Sequence, residues 1–145
     1  MNTPAYDEQN IFAKILRGEI PSHKVYEDEH AIAIMDVMPQ SEGHTLVIPK
    51  TPSRNILDIS AHDLQNLAIV VQRVARAVKK AFEAPGLTII NYCEPAGGQT
   101  VFHTHVHVIP RYDGMPLRPH SGKMADQERL AEQAFKIRAA LGGAA

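Results

Sequence analysis

Cysteine is nearly missing from this chain: Cys93 is the one thiol in 145 residues, so no internal disulfide can form. A lone cysteine of this kind is expected as a small packed residue, and the scarcity fits a cytoplasmic setting. Excess charge of either sign is also lacking, since 15 basic and 16 acidic side chains leave a formal net charge of −1. Binding to nucleic acid or to an anionic membrane asks for a basic patch, and this charge balance makes no case for either. No apolar run approaches the roughly 20 residues of a membrane helix. Residues 1–10 are polar and acidic, unlike a secretion signal. The chain has no CxxC or HExxH for a metal, and no Gly-x4-Gly-Lys-Ser/Thr or GxGxxG loop for a nucleotide. Repeats and low-complexity stretches are absent as well.

What is present is an ordinary globular composition, 44% apolar, in a length that supports one domain with a genuine core. Asn10 can cap a short helix bearing Ile11, Phe12, Ile15 and Leu16, closed by Gly18 and Pro21. Strands are expected at about 24–27, 31–37 and 44–50, with short links that favour antiparallel neighbours. Ser60 opens the clearest helix, with Asp63 at the capping-box position. Leu64, Leu67, Ala68, Val71, Val74, Ala75, Val78 and Phe82 form its apolar stripe, opposite a solvated basic face. Ala84-Pro85-Gly86 ends it and launches a strand at about 87–92. Pro116, Pro119 and Gly122 mark an extended tail before a last helix at about 125–141. This order predicts an α+β domain: an antiparallel sheet of about five strands, the long helix on one face, and short N-terminal and C-terminal helices. The domain spans 1–145, its core about 10–112 and its tail 113–145.

The most informative segment is His103-Thr104-His105-Val106-His107, inside an apolar run at 101–110 that reads as one strand. Side chains alternate along a strand, so the three imidazoles share a face. Phe102, Thr104, Val106 and Val108 take the other face, beneath the long helix. His103 and His107 would lie roughly 13 Å apart, too far for one zinc with nitrogens about 2 Å away. No metal and no cofactor is therefore expected. Phosphoryl or nucleotidyl transfer suits the row better. A neutral imidazole is a nucleophile that can carry phosphorus covalently, and a second can clamp phosphate oxygens or protonate a leaving group. Gly97-Gly98-Gln99-Thr100, directly before the histidines, offers backbone amides and a hydroxyl to a phosphate. His23, His30, His62 and His120 read as surface residues. His44 opens an apolar strand that can pair near the histidine strand.

The run His103-Thr104-His105-Val106-His107-Val108-Ile109 resembles the motif of the histidine triad (HIT) superfamily, three alternating histidines followed by apolar residues. Ile11-Phe12-Ala13-Lys14-Ile15-Leu16-Arg17-Gly18-Glu19-Ile20-Pro21 is similar to that family's opening helix. Asp36 with Gly43-His44-Thr45-Leu46-Val47-Ile48-Pro49-Lys50 is similar to its central strands, and Gly98-Gln99-Thr100-Val101-Phe102 to its phosphate loop. The resemblance, to the Hint-like branch, implies that His105 attacks the α-phosphorus of a nucleotide and forms a nucleotidyl-histidine. It implies that His103 supports His105, and that His107, Gln99 and Thr100, with the Gly98 backbone, meet the phosphate. Asp36 would hold the ribose hydroxyls, Phe12, Ile15, Ile20 and Val37 would wall the base pocket, and His44 would join the histidines from behind. Asn91 matches the family's loop asparagine if the segment 91–99 carries an extra residue.

That branch consists of homodimers that hydrolyse nucleoside phosphoramidates or related purine nucleoside monophosphate conjugates, and the same is implied for this chain. Two other readings stay open: a Fhit-like dinucleoside polyphosphate hydrolase, and a nucleotide-binding interaction protein with vestigial activity. A galactose-phosphate type of transferase resembles His-x-His-x-Gln, which His107 does not match. Two departures stand out. Where many bacterial relatives carry CxxC for a structural zinc, this chain has Asn10 and Ala13, and its tail beyond Arg111 can cover the site or extend a dimer interface.

Overall fold

In the computed structural model, which describes residues 4–120 and 123–142, Asn10 is in extended backbone and its side-chain oxygen accepts the Ala13 N–H. This cap starts α1 (Ile11–Leu16). The tail residue Gly122 lies outside the described residues. Strands β1 (Lys24–Glu27), β2 (Ala31–Met35) and β3 (Thr45–Pro49) follow as an antiparallel meander. Ser60 caps α2 (Ala61–Ala81) by accepting the Asp63 N–H. Next come β4 (Gly86–Ile90), a single 3-10 turn at Pro95–Gly97, β5 (Val106–Arg111) and α3 (Gln127–Ala140). The five strands form one antiparallel sheet in the order β1-β2-β3-β5-β4, the α+β architecture expected. No helix of the described residues is long and apolar enough to cross a membrane.

Both faces of the sheet are covered, and the alternation along β2 shows how. Ala31, Ala33 and Met35 pack with Val47, Val106 and Val108 against α2 and α3, while Ile32 and Ile34 pack with Leu46, Ile48 and Phe12 beneath α1. Small alanines let the long helix approach closely on one face. The buried stripe of α2 is rotated from the expected one: Val70 and Ala77 are inside, and Ala68 is exposed.

The histidine row departs from its sequence reading. Only residues 106–111 join the sheet, and 101–105 run outside it as irregular chain. The cause is a competing set of partners: the Thr104 N–H bonds the Ser53 carbonyl at 2.9 Å, and the two hydroxyls of that pair meet at 2.6 Å. Val106 and Val108 lie beneath α2 as expected, whereas Thr104 faces Ser53 and half-buried Phe102 lies under the Arg54 guanidinium. The tail also has a defined course. The Arg118 N–H bonds the Gln40 carbonyl at 2.9 Å and the Ala125 N–H bonds the Val37 carbonyl at 2.8 Å, which lays this segment along 37–40.

Gly43 joins these layers. Its backbone is left-handed (φ +89°), its N–H donates to Gln133 of α3, and a Cβ there would stand 2.6 Å from the Phe82 ring. Gly43→Ala is expected to cost about 2–4 kcal/mol through strain and overpacking combined. The urea midpoint measures it, and an unchanged midpoint would show that this turn constrains nothing.

Candidate active site

A cavity of about 1010 Å³ opens between α1, the 36–40 segment, the 98–101 loop and the tail. Its volume is in the range of small-molecule sites. Phe12, Ile15, Ile20 and Val37 line it, as do Asp36, Gly98, Thr100, His105 and His107. His44, His103, Gln99 and Asn91 do not line it; they stand behind it as supports.

Backbone groups determine where each imidazole proton resides. The Gln40 N–H donates to His44 Nδ1 at 3.0 Å, so neutral His44 carries its proton on Nε2. That Nε2–H donates to His107 Nδ1 at 2.9 Å, which makes His107 an Nε2–H donor. His105 is set the opposite way. Its Nδ1–H donates to the His103 carbonyl at 2.6 Å, leaving the Nε2 lone pair free. The His105 and His107 rings face the same cleft with centroids 5.1 Å apart, one presenting a lone pair and the other a proton. Such a pair can attack an electrophilic centre and hydrogen-bond the oxygens around it.

Burial keeps these rings neutral. Desolvation lowers His44 to about 4 against the attraction of Asp36, and lowers His107 to about 3 with help from His105 and His44. His105 and His103 are pushed down for the same first reason.

His103 is buried and turned from the cleft. Its Nε2–H donates to the Pro49 carbonyl at 2.8 Å, so its Nδ1 accepts a short hydrogen bond from the Tyr6 hydroxyl. Tyr6 in turn accepts from Asn10 Nδ2 at 2.9 Å. His103 therefore supports His105 through its main chain rather than its ring. Asn91 holds the other side of that chain, Nδ2 donating to the His105 carbonyl at 2.8 Å.

The loop before the histidines is less open than its glycines suggest. The Gly97, Gly98 and Gln99 N–H groups all bond carbonyls inside the 94–99 turn. The Gln99 side chain is fully used as well: its oxygen accepts from Asn55 and from the Glu94 N–H, and its nitrogen donates to the Arg54 and Val101 carbonyls. Gln99 shapes the loop. Gly98 is required there because a Cβ would stand 2.9 Å from the Tyr92 ring, which packs edge-on against His107.

Sequence reasoning missed two residues. Tyr6 precedes every periodic element and has no local signal. His120 was expected at the surface, yet its Nε2–H donates to Asp36 Oδ2 at 2.7 Å and its ring lines the cleft 5.9 Å from His107, centroid to centroid. Backbone pairing of the tail with 37–40 carries it there. Asp36 also accepts the Met38 N–H on Oδ1, and its pKa is lowered although burial opposes that. Asp36, His44 and His107 place ligand atoms within 4.8 Å of one another, a spacing a metal ion can use. Here His44 Nε2 and His107 Nδ1 are joined by a hydrogen bond, and Asp36 Oδ2 accepts from His120.

An antiparallel sheet with two histidines, one on β5 and one just before it, facing a single cleft defines a class, and the comparisons agree with it. The HIT domain family model matches residues 17–114, and the chain belongs to the HIT family, which consists generally of hydrolases. A Hit-like protein from Bartonella henselae, solved with an unknown ligand and described as involved in cell-cycle regulation, is 52% identical. Its TM-score is 0.91, with 94% of this chain and 99% of that one covered. A hypothetical histidine triad nucleotide-binding protein from Sulfolobus tokodaii is 36% identical with a TM-score of 0.84, covering 91% of each chain. Protein hit of Bacillus subtilis is 46% identical over 105 residues, 72% of either chain.

The depressed imidazoles carry a stability consequence. In the unfolded chain His44 and His107 titrate near 6.5, and in the fold near 4 and 3. The unfolded state therefore binds protons first, and the stability present above pH 6.5 is lost as the pH falls toward 4. A loss on the order of 3 kcal/mol or more is expected across that window. Urea midpoints measured from pH 7 to 4 check it, and a flat profile would contradict neutral, buried rings.

Proposed function

We propose that this chain is a hydrolase of nucleoside phosphoramidates or related purine nucleoside monophosphate conjugates. The observation that carries the reading is the facing of His105 and His107 in opposite tautomers across one cleft. His105 Nε2 attacks the α-phosphorus and forms a P–N bond while the bond to the leaving group breaks. His107 donates its Nε2–H to the phosphoryl oxygens as charge develops there. Water then cleaves the P–Nε2 bond, so that across the cycle hydroxide goes to phosphorus and a proton to the leaving group. His103, His44, Asn91 and Gln99 hold these two rings and the loop in place. Thr100 and the Gly98 backbone line the phosphate end, and Phe12, Ile15, Ile20 and Val37 enclose a purine. Asp36 keeps lone pairs for the ribose hydroxyls beside those that accept from Met38 and His120. The nucleotide-binding designation of the Sulfolobus tokodaii protein supports this substrate class.

The test is a panel of adenosine and guanosine phosphoramidates beside diadenosine polyphosphates, with trapping of the covalent intermediate. Phosphoramidates are expected to turn over faster, and faster cleavage of the polyphosphates would favour a Fhit-like role. His105→Ala is expected to abolish turnover and to keep nucleoside monophosphate affinity within about tenfold, because binding and attack use different groups. Unchanged turnover in that variant would remove the nucleophile.

A homodimer belongs to the same reading. β4 is an edge strand of the sheet, and Ile89 on it is half exposed, which leaves an apolar edge for a second copy. Light scattering is expected to give the mass of two chains, and a monomer at micromolar concentration would refute this part.

A further inference from the structure

We propose that His120, delivered by the tail from beyond the matched HIT residues, supplies the positive charge that holds the substrate's phosphate. This rests on the nucleotide reading above. No lysine or arginine lines the cleft among the described residues; its titratable groups are Asp36, Tyr92, His23, His105, His107 and His120, with His44 directly behind. The one carboxylate, Asp36, would by itself oppose a phosphate. Placing an anion in such a cleft without a cationic partner is costly. The loop offers little relief, because the Gly97, Gly98 and Gln99 amides are already bonded within their turn.

His120 answers both needs. Its Nε2–H pairs with Asp36 Oδ2 at 2.7 Å and offsets that charge. Its Nδ1 has no partner among the described residues, so the protonated ring offers a second N–H on its opposite side. The ring stands at right angles to His107, beside the donor proposed for the phosphoryl oxygens. The pair with Asp36 also raises the His120 pKa above the ordinary 6.5, against partial burial, while the triad rings are pushed below it. His23, the other cleft histidine outside the triad, is tied to Gln127 at 2.8 Å. The ring is carried by backbone bonds on both sides of it, from Arg118 to Gln40 and from Ala125 to Val37.

The experiment is calorimetric binding of adenosine and guanosine, each with its 5′-monophosphate, to the full chain and to His120→Ala and His120→Lys. In the wild type the monophosphate is expected to bind more tightly than the nucleoside. His120→Ala should weaken the monophosphate about tenfold, the worth of one charge-assisted hydrogen bond, and leave the nucleoside within about twofold. His120→Lys should restore most of the difference. An equal loss on nucleoside and monophosphate would assign His120 to holding Asp36 and overturn the phosphate role, as would an unchanged monophosphate affinity. A wild type that binds neither ligand would defeat the nucleotide reading itself, a result distinct from either.

Discussion

Everything in the cleft depends on two backbone hydrogen bonds to imidazoles. The Gln40 amide can only donate and the His103 carbonyl can only accept, and neither titrates. The first forces the His44 proton outward to His107, and the second frees Nε2 of His105. Opposite tautomers in neighbouring rings follow from peptide geometry rather than from the rings' own equilibrium. The fold exists around these bonds in a literal sense. Gln133 of α3 and Phe82 at the end of α2 both bear on Gly43, one residue before His44, and Ser53 pins Thr104 between His103 and His105.

The neutrality of the nucleophile comes from desolvation rather than from a neighbouring cation. A neighbouring cation would lower the His105 pKa, but the first cause is burial, with Phe12 packed edge-on against the ring at 4.7 Å. Desolvation and cationic activation have opposite effects on a substrate. A cation beside the nucleophile would also attract phosphate, whereas an apolar wall excludes water and attracts nothing. The water-poor, low-dielectric interior strengthens every electrostatic contact made inside it. A single ion pair at its border, Asp36 with His120, thereby gains weight it would lack at an open surface.

Most of the fold was legible because its signals are local. Asn10 and Ser60 cap where their side chains predict, and the alternation of β2 assigns each residue to a face. His44 was legible as a partner of the triad because β3 lies beside β5, with Leu46 opposite His107. The extent of the histidine strand was not. Its hydrogen-bond partners are Ser53, outside any regular element, and Pro49, at the end of β3, both about fifty residues earlier, so no periodicity at 101–105 reveals them. Gln99 shows the same limit: a polar residue beside glycines suggests a ligand contact, and only the tertiary structure shows all its hydrogen-bonding capacity used by the loop.

Tyr6 and His120 share one physical logic. Residues 17–114 contain the sheet and the triad, but within that span His103 Nδ1 and Asp36 Oδ2 lack the partners they have here. Both groups are buried, and a buried acceptor without a donor costs about 1–3 kcal/mol. The N-terminal segment brings a hydroxyl to the first and the tail brings an imidazole to the second. The donors differ in a way that matters. A phenol holds its proton throughout the neutral range, so Tyr6 locks His103 into one tautomer and, through the His103 carbonyl, steadies His105. An imidazole paired with a carboxylate brings charge as well as a proton, so the tail can alter what the cleft attracts while the N-terminal segment fixes how it is built.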